Sequence, residues 1–286
     1  MIGEKPKGAG AHLPLAYPAL MLAIFFVIPF GIMVAVSFFH REPGGFYITG
    51  FELANYRNLY TALFGRTLLF SLFIAGLSAA VCVSLGFPFT YFITCMRRRA
   101  QVVWLVFLMS VLSLSEVIVG FAWSLLLSRT AGLSNLLVWL GVMGQPVAWY
   151  PGFAALLCGI CYLAFPYTVL VLYPPLSRLD PALPEASLTL GASPLKTFFT
   201  VTVGSLRNAI VAAFVMVFVF TLGVYLLPQI LGRPRHWTLS VLITDQAIYQ
   251  TNMPMAAAMA IFFMLVSLLL VALTMAIGKK KKIVSA

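Results

Sequence analysis

Few side chains in this chain can do chemistry, and the most singular is Glu116. It is a carboxylate inside an otherwise uncharged run from Val102 to Leu127. A charge at the centre of a bilayer costs about 2.5–3.5 kcal/mol on insertion scales, so such groups face a cavity or a partner. Two readings stand side by side. Glu116 lines a polar path and attracts a cation, or it is protonated by burial or hydrogen-bonded to Ser113, Ser115 or a neighbouring subunit. Trp123, Trp149, Tyr150, Tyr225 and Trp237 can offer ring faces to an organic cation, although such residues more often form an interfacial belt. Asp245, in a polar segment before the last apolar run, can receive a cation or simply be solvated.

Other chemistries find no support. Cys158-Gly159-Ile160-Cys161 has redox spacing but lies between apolar residues, whereas a redox dithiol needs an accessible thiolate. Cys82 and Cys95 lie in apolar runs too, so packing is the better reading of all four. His12, His40 and His236 are scattered without metal-ligand spacing, and no G-x-x-x-x-G-K-[ST] occurs. No metal, no cofactor, no P-loop ATP hydrolysis and no enzymatic cluster are expected.

The elements that must position these groups follow from composition. The chain is 62% hydrophobic and 9% charged, against about 25% charged in soluble domains. That makes it a polytopic all-α membrane protein whose first partner is the lipid bilayer. A net charge of +11 does not imply nucleic acid, which needs a clustered basic face. Here the basic residues sit at the ends of apolar runs. About 20 apolar residues are needed per crossing, and six runs qualify: 13–39, 67–96, 102–127, 151–173, 208–231 and 254–278. The first is too long for a signal-peptide core and reads as a retained span. Pro29 is expected to kink it, Pro166 lies inside the fourth, and Pro174-Pro175 are expected to stop the fourth. Leu133, Leu136, Leu137 and Leu140 share a helical face and predict a short interfacial helix.

Six spans put both termini on one side. That side holds Lys5, Lys7, Arg97, Arg98, Arg99, Arg178, Lys196, Arg207 and Lys279 to Lys282; the other holds Arg41, Arg57, Arg66, Arg129, Arg233 and Arg235. Twelve basic residues against six make the first side cytoplasmic by the positive-inside rule.

One segment on that side, residues 180–206, is not membrane. Asp180-Pro181 is a cap with proline at the first helical position. The helix is predicted to reach about Leu190, with Gly191 as the left-handed residue that ends it. Ser193-Pro194 repeats the signal and starts a second short helix carrying Leu195, Phe198 and Phe199 on one face. The plain alternative is an ordinary capped loop.

In spacing, this segment resembles the EAA loop of the permease subunits of binding-protein-dependent ABC importers. That pattern is Glu-Ala-Ala, three residues, Gly, nine residues, Ile-x-Leu-Pro. Glu185-Ala186-Ser187, Gly191 and Val201-Thr202-Val203-Gly204 occupy its positions, with Ser187 for the second Ala and Gly204 for the final Pro. The lead-in ELANYRNLY is similar to the family as well. GFAWSLLL with GLSNLL, LPQILG, WTLSVLITDQ and NMPMAAAMA look like its spermidine/putrescine-type branch.

The resemblance implies a bacterial inner-membrane permease of the type I importer fold, with six helices and a two-helix cytoplasmic coupling loop. It implies that Asp180, Glu185, Ala186, Ser187, Gly191 and Ala192 contact a cytoplasmic ATP-binding subunit. It also implies a second permease, identical or similar, and an extracytoplasmic solute-binding protein. The solute expected is small and polar, with a polyamine-like cation as the best guess, and the path residues expected are Glu116, Trp123, Tyr225 and Asp245. The alternative is a self-contained secondary transporter or channel, which tends to carry repeats and broken helices around midmembrane charges.

Overall fold

A computed structural model describes residues 13–42, 45, 47–130 and 132–280. Lys5, Lys7, His12, Lys281 and Lys282 lie outside the described residues, as do the side chains of Lys279 and Lys280. The backbone is helical almost throughout and, among the described residues, has no strand; one antiparallel bridge pairs His40 with Ile48.

In chain order the helices are α1 (Leu13–Leu22), α2 (Ile28–Val36), α3 (Ala54–Arg57), α4 (Ala62–Cys95), α5 (Arg98–Leu112), α6 (Glu116–Leu126) and α7 (Leu133–Trp139). Then come α8 (Phe153–Ser177), α9 (Ala182–Thr189), α10 (Pro194–Thr197), α11 (Val203–Ser205), α12 (Arg207–Gly223), α13 (Leu226–Leu231), α14 (Leu239–Thr244) and α15 (Met253–Lys280). π-Helical turns occupy Ala23–Val27, Phe198–Thr202 and Asp245–Tyr249. Among the described residues, α4, α8 and α15 are each long and apolar enough to cross a membrane unbroken. Two bent pairs, α5 with α6 at 92° and the helical stretch Pro194–Ser205 with α12 at 71°, are long and apolar enough only when each is taken as one span. The helical run from Leu13 to Val36 contains a shorter apolar helix, Leu20–Val36.

The described chain falls into two units, residues 13–61 with 243–262 and residues 62–242 with 263–280. In the first, the loop after α2 is locked to α3. The Asn55 amide donates to the carbonyls of Ser37 and Phe39, both at 3.0 Å, and Ser37 Oγ lies 2.8 Å from Tyr56 Oη. Phe38 packs between Phe51 and Tyr56, and His40 pairs with Glu52. Ser37 also ends the first pass, its hydroxyl donating to Val34 O, so the helix stops at Val36 and not at Phe39.

In the second unit α4, α8 and α12 pack on one another and form the core. Their contacts are made through small residues: Ala75, Ala79, Cys82 and Ala164 are buried together with Val217. A Cβ at Gly86 would stand 3.0 Å from Thr168 Cγ2. Where burial in apolar surroundings supplies little drive between helices, small side chains let backbones approach and gain dispersion contacts. Buried hydroxyls are satisfied within their own helices, as in Thr90 to Gly86 O, Thr168 to Ala164 O and Thr221 to Val217 O.

Several expected boundaries move. The second pass begins at Ala62, five residues before Thr67, and its 34 residues span about 51 Å, beyond the ~30 Å of hydrocarbon. The fourth does not stop at Pro174-Pro175 but runs to Ser177. Proline's φ suits a helix, and only the bonds its missing N–H groups would make are lost, here in a turn that is already the last. The apolar runs expected as the third and fifth passes, 102–127 and 208–231, are not single helices: the third bends at residues 113–115, and the fifth, formed by α12 and α13, breaks at Val224–Tyr225. A short helix is present there as α7, with Leu133 and Leu136 exposed on it and Leu140 exposed just beyond its end.

Candidate functional site

The segment 180–206 is built as its residue types dictate. Asp180 Oδ1 accepts from Ala182 N at 3.0 Å, with Pro181 at φ −59° beside it. At the other end of α9, Gly191 has φ +86°. Its N–H reaches Leu188 O at 3.0 Å, and Ala192 N–H reaches Ser187 O at 3.1 Å. These are the two bonds of a Schellman stop, which needs the left-handed residue that glycine supplies without strain. Ser193 Oγ then accepts from Lys196 N at 3.3 Å and starts α10 at Pro194. Ser187 lies 3.0 Å from Thr197 Oγ1 and so ties the two helices across the elbow, a bond alanine cannot make.

Phe198 turns inward onto Phe87 and Tyr91 of α4. Leu195 and Phe199 do not share that packing: they are 70% and 61% exposed, and Leu190 at the elbow is 88% exposed. Asp180, Glu185, Ala186 and Gly191 are exposed as well, with Ser187 and Ala192 half-buried. The chain leaves the segment through Gly204 and the bend before α12.

A polar clasp fixes the base of this segment to the turn between α4 and α5. Tyr173 Oη donates to Gln101 Oε1 at 2.8 Å and accepts from Arg98 at 3.1 Å. Gln101 Nε2 donates to the carbonyls of Thr94 and Met96 at the end of α4. Beside it opens a cavity of about 640 Å³ lined by Arg98, Tyr173, Pro184, Glu185 and Leu188. Sequence reasoning missed this clasp; a lone Gln beside three arginines at a span's entrance was the available signal.

Glu116 is not in mid-helix. It is the first residue of α6, after Ser115, whose hydroxyl accepts from Val117 N at 3.3 Å. Its Oε1 accepts from Leu226 N at 3.0 Å and Leu227 N at 3.1 Å, across the break in the fifth pass. Of the partners expected for it, neither Ser113 nor Ser115 is the one found: Ser113 Oγ donates to Met109 O. Tyr225 is the residue at the break, and Trp123 packs against the cluster that contains Val224, Leu227 and Leu231. Glu116 thus bonds the two residues that follow Tyr225, while the Trp123 ring lies edge-on to Tyr162. Asp245 belongs to the other unit, where it opens the π-helical turn before α15. Trp149 and Tyr150 pack on the same cluster as Trp123.

Beyond α13 the chain turns at Pro234–His236. His236 is 8% exposed, stacked on Phe70 and edge-on to Phe153. Burial, then Arg235 and Arg233, hold its pKa below the ordinary 6.5. The cysteines are all free. Cys82 packs in the core with Cys161 against it, its thiol pointing at Cys161 O, as expected of packing residues, whereas Cys95 and Cys158 are exposed and do not pack inside the chain. Among the described residues no cluster of His, Cys, Asp or Glu could hold a metal.

No protein-family model matches the sequence. In sequence the chain is 28% identical over 240 residues to the spermidine/putrescine transport system permease protein PotB of Escherichia coli K12, covering 84% of this chain and 87% of that one. The Haemophilus influenzae PotB is 25% identical over 240 residues, covering 84% of each chain. The inner membrane ABC transporter permease protein YdcU of E. coli K12 is 29% identical over 241 residues, 80% of this chain and 75% of that one. In fold, a chain of a bacterial ABC transporter that imports the acidic polysaccharide alginate superimposes with a TM-score of 0.76 at 18% identity, covering 96% of this chain and 95% of that one. A second structure of a bacterial alginate ABC transporter, in complex with its alginate-bound periplasmic protein, gives 0.77 at 17% identity over 94% of each. The chain is thus similar in sequence to the spermidine/putrescine permeases and shares the fold of chains of bacterial ABC transporters.

Proposed function

We propose that this permease takes up a small organic cation of the polyamine type, and that it does so under the control of a cytoplasmic ATPase docked on residues 180–206. The observation that carries the proposal is the exposed face of that segment. Leu190, Leu195 and Phe199 stand out from a rigid, twice-capped knob instead of packing into the protein. Exposed apolar groups on an ordered element mark an interaction surface, and the basic residues around it favour the cytoplasmic side. Asp180, Glu185, Ala186, Ser187, Gly191 and Ala192 form the contact.

The other partners are a second permease, identical or similar, and an extracytoplasmic solute-binding protein that meets the outer loops. Residence in a bacterial inner membrane, with both termini cytoplasmic, completes the picture. ATP binding draws the ATPases together, moves the knobs and tips the path from one face to the other, as alternating access between two states requires. The path passes the break in the fifth pass, where Tyr225 and Trp123 offer ring faces to an organic cation beside the Glu116 carboxylate. Asp245 receives the cation from the binding protein. The similarity to the PotB permeases supports the choice of solute. Catalysis of ATP hydrolysis belongs to the partner.

One observation favours a second reading. Two passes broken around a carboxylate are also what a gradient-driven carrier uses, and such a carrier would work alone. The test is purification of the tagged chain from native membranes in mild detergent, wild type beside Glu185→Ala and Gly191→Pro. Recovery of a P-loop ATPase with the wild type, reduced in both variants, is expected. No ATPase, together with solute uptake by the chain alone in liposomes, would overturn the importer reading.

A further inference from the structure

Where the fifth pass breaks, its backbone donors need partners. The first turn of any helix leaves N–H groups unbonded, and inside a membrane water is not there to take them. In α13 only two such groups remain, at Leu226 and Leu227. Pro228 has no N–H, and Gln229 N already reaches Tyr225 O at 3.2 Å. Glu116 Oε1 accepts from both of the remaining two. A single carboxylate oxygen thus takes the first two backbone donors of α13.

The two halves of the fifth pass keep different company. The inner half, α12, follows directly from the coupling segment and packs on α4 and α8; the outer half, α13, packs on α6 and α8. Glycines make room for α13. A Cβ at Gly120 of α6 would stand 2.9 Å from Ile230, and one at Gly159 of α8 only 2.4 Å from Leu231. Its far end is tied as well, by Gly152 N–H to Leu231 O at 3.0 Å and Arg233 Nε to Pro151 O at 2.9 Å.

We infer that Glu116 is a positioning residue, the latch that holds α13 to the third and fourth passes so that movement entering α12 from the coupling segment is taken up at Val224–Tyr225. The outer half stays as one wall of the path while the inner half swings. This assigns Glu116 to the backbone of its own chain before any solute. It deepens the importer reading and rests on it for the transport consequence, whereas the latch itself is a property of the chain.

The test compares Glu116→Gln, Glu116→Asp and Glu116→Leu. Gln keeps an acceptor oxygen at the same reach, Asp keeps the charge but falls one methylene short, and Leu has neither. Amide exchange of residues 224–232 is measured in full-length chain in nanodiscs. Maximal uptake and KM for a polyamine are measured with the complex. Exchange is expected to rise about tenfold in the Leu variant, less in Asp and least in Gln. Maximal uptake falls in the same order while KM moves little. Uptake better preserved by Asp than by Gln, or unaltered exchange in the Leu variant, would overturn the latch and return Glu116 to a role as a charge for the solute. Absence of any ATP-driven uptake in the wild type would count against the importer reading alone, because the exchange result stands without it.

Discussion

Two elbows in this molecule join helix to helix, and they are closed in opposite ways. At Gly191 the bonds that shape the elbow run between residues a few positions apart: Asp180 caps α9, Gly191 and Ala192 donate back to Leu188 and Ser187, and Ser193 caps α10. At Val224–Tyr225 the donors of Leu226 and Leu227 are answered by Glu116, 110 and 111 residues away. The first elbow is expected to face water, where local bonds compete with solvent and short-range rules decide. The second lies in a pass expected to be membrane, where an unpaired N–H is costly and a distant side chain can be recruited to relieve it. A local elbow holds its own shape, so it suits a part that must be gripped and moved. A long-range elbow holds its shape only while two passes stay together, so it suits a part that reports on their movement.

Breaking the local elbow should have the largest effect. Gly191→Pro places a ring that demands φ near −65° where the backbone has +86°. ATP-dependent uptake should fall to background with membrane levels of the protein within about twofold of wild type, as quantitative blotting beside uptake would reveal. Next comes the distant elbow. Glu116→Leu should lower maximal uptake about tenfold through two orphaned donors, while Glu116→Gln should retain most of it.

Softer changes sharpen the contrast. Asp180→Ala removes one cap, worth about 1 kcal/mol, and a loss of about threefold to fivefold in coupled ATPase activity is expected. Tyr173→Phe keeps the ring but deletes the hydroxyl that joins Arg98 to Gln101. These groups are partly solvated, so a change of about twofold is expected, larger in coupling efficiency than in solute affinity. Unaltered coupling would show that the clasp is dispensable.

The smallest effect concerns pH. His236 is buried against Phe70 and Phe153, and its two ring nitrogens face the Arg233 N–H and the Arg235 guanidinium, both donors. A neutral ring can accept from one of them at a time, and a protonated ring from neither. Its folded pKa lies below the unfolded 6.5. The stabilising contribution is therefore complete above pH 6.5 and is lost as pH falls through the folded pKa. Protection of residues 232–238, taken relative to the unfolded-chain exchange rate at each pH, should fall on acidification from pH 7.5 and lose that dependence in His236→Asn.

What was legible in the sequence divides along the same line. The number of apolar passes, the knob and its glycine could be read because composition, caps and a left-handed turn act over a few residues. Pro228 was a readable hint that a helix starts near Leu226, since proline is at home in a first turn, but an unbroken apolar run concealed it. The bend at residues 113–115 carries no glycine or proline at all. Ser187 was read only as a small substitute for alanine, and its bond to Thr197 became visible when the two helices were seen side by side. The Arg98–Tyr173–Gln101 clasp joins residues more than seventy positions apart, which no local rule reaches.

The most direct test of coupling through residues 180–206 is uptake of a radiolabelled polyamine into proteoliposomes that contain this chain with its co-purified partners, with and without ATP on the side of the knob. Accumulation that needs ATP in the wild type and is absent in Gly191→Pro, with the variant still inserted, is the expected result. Accumulation that proceeds without ATP, or that Gly191→Pro leaves intact, would contradict it.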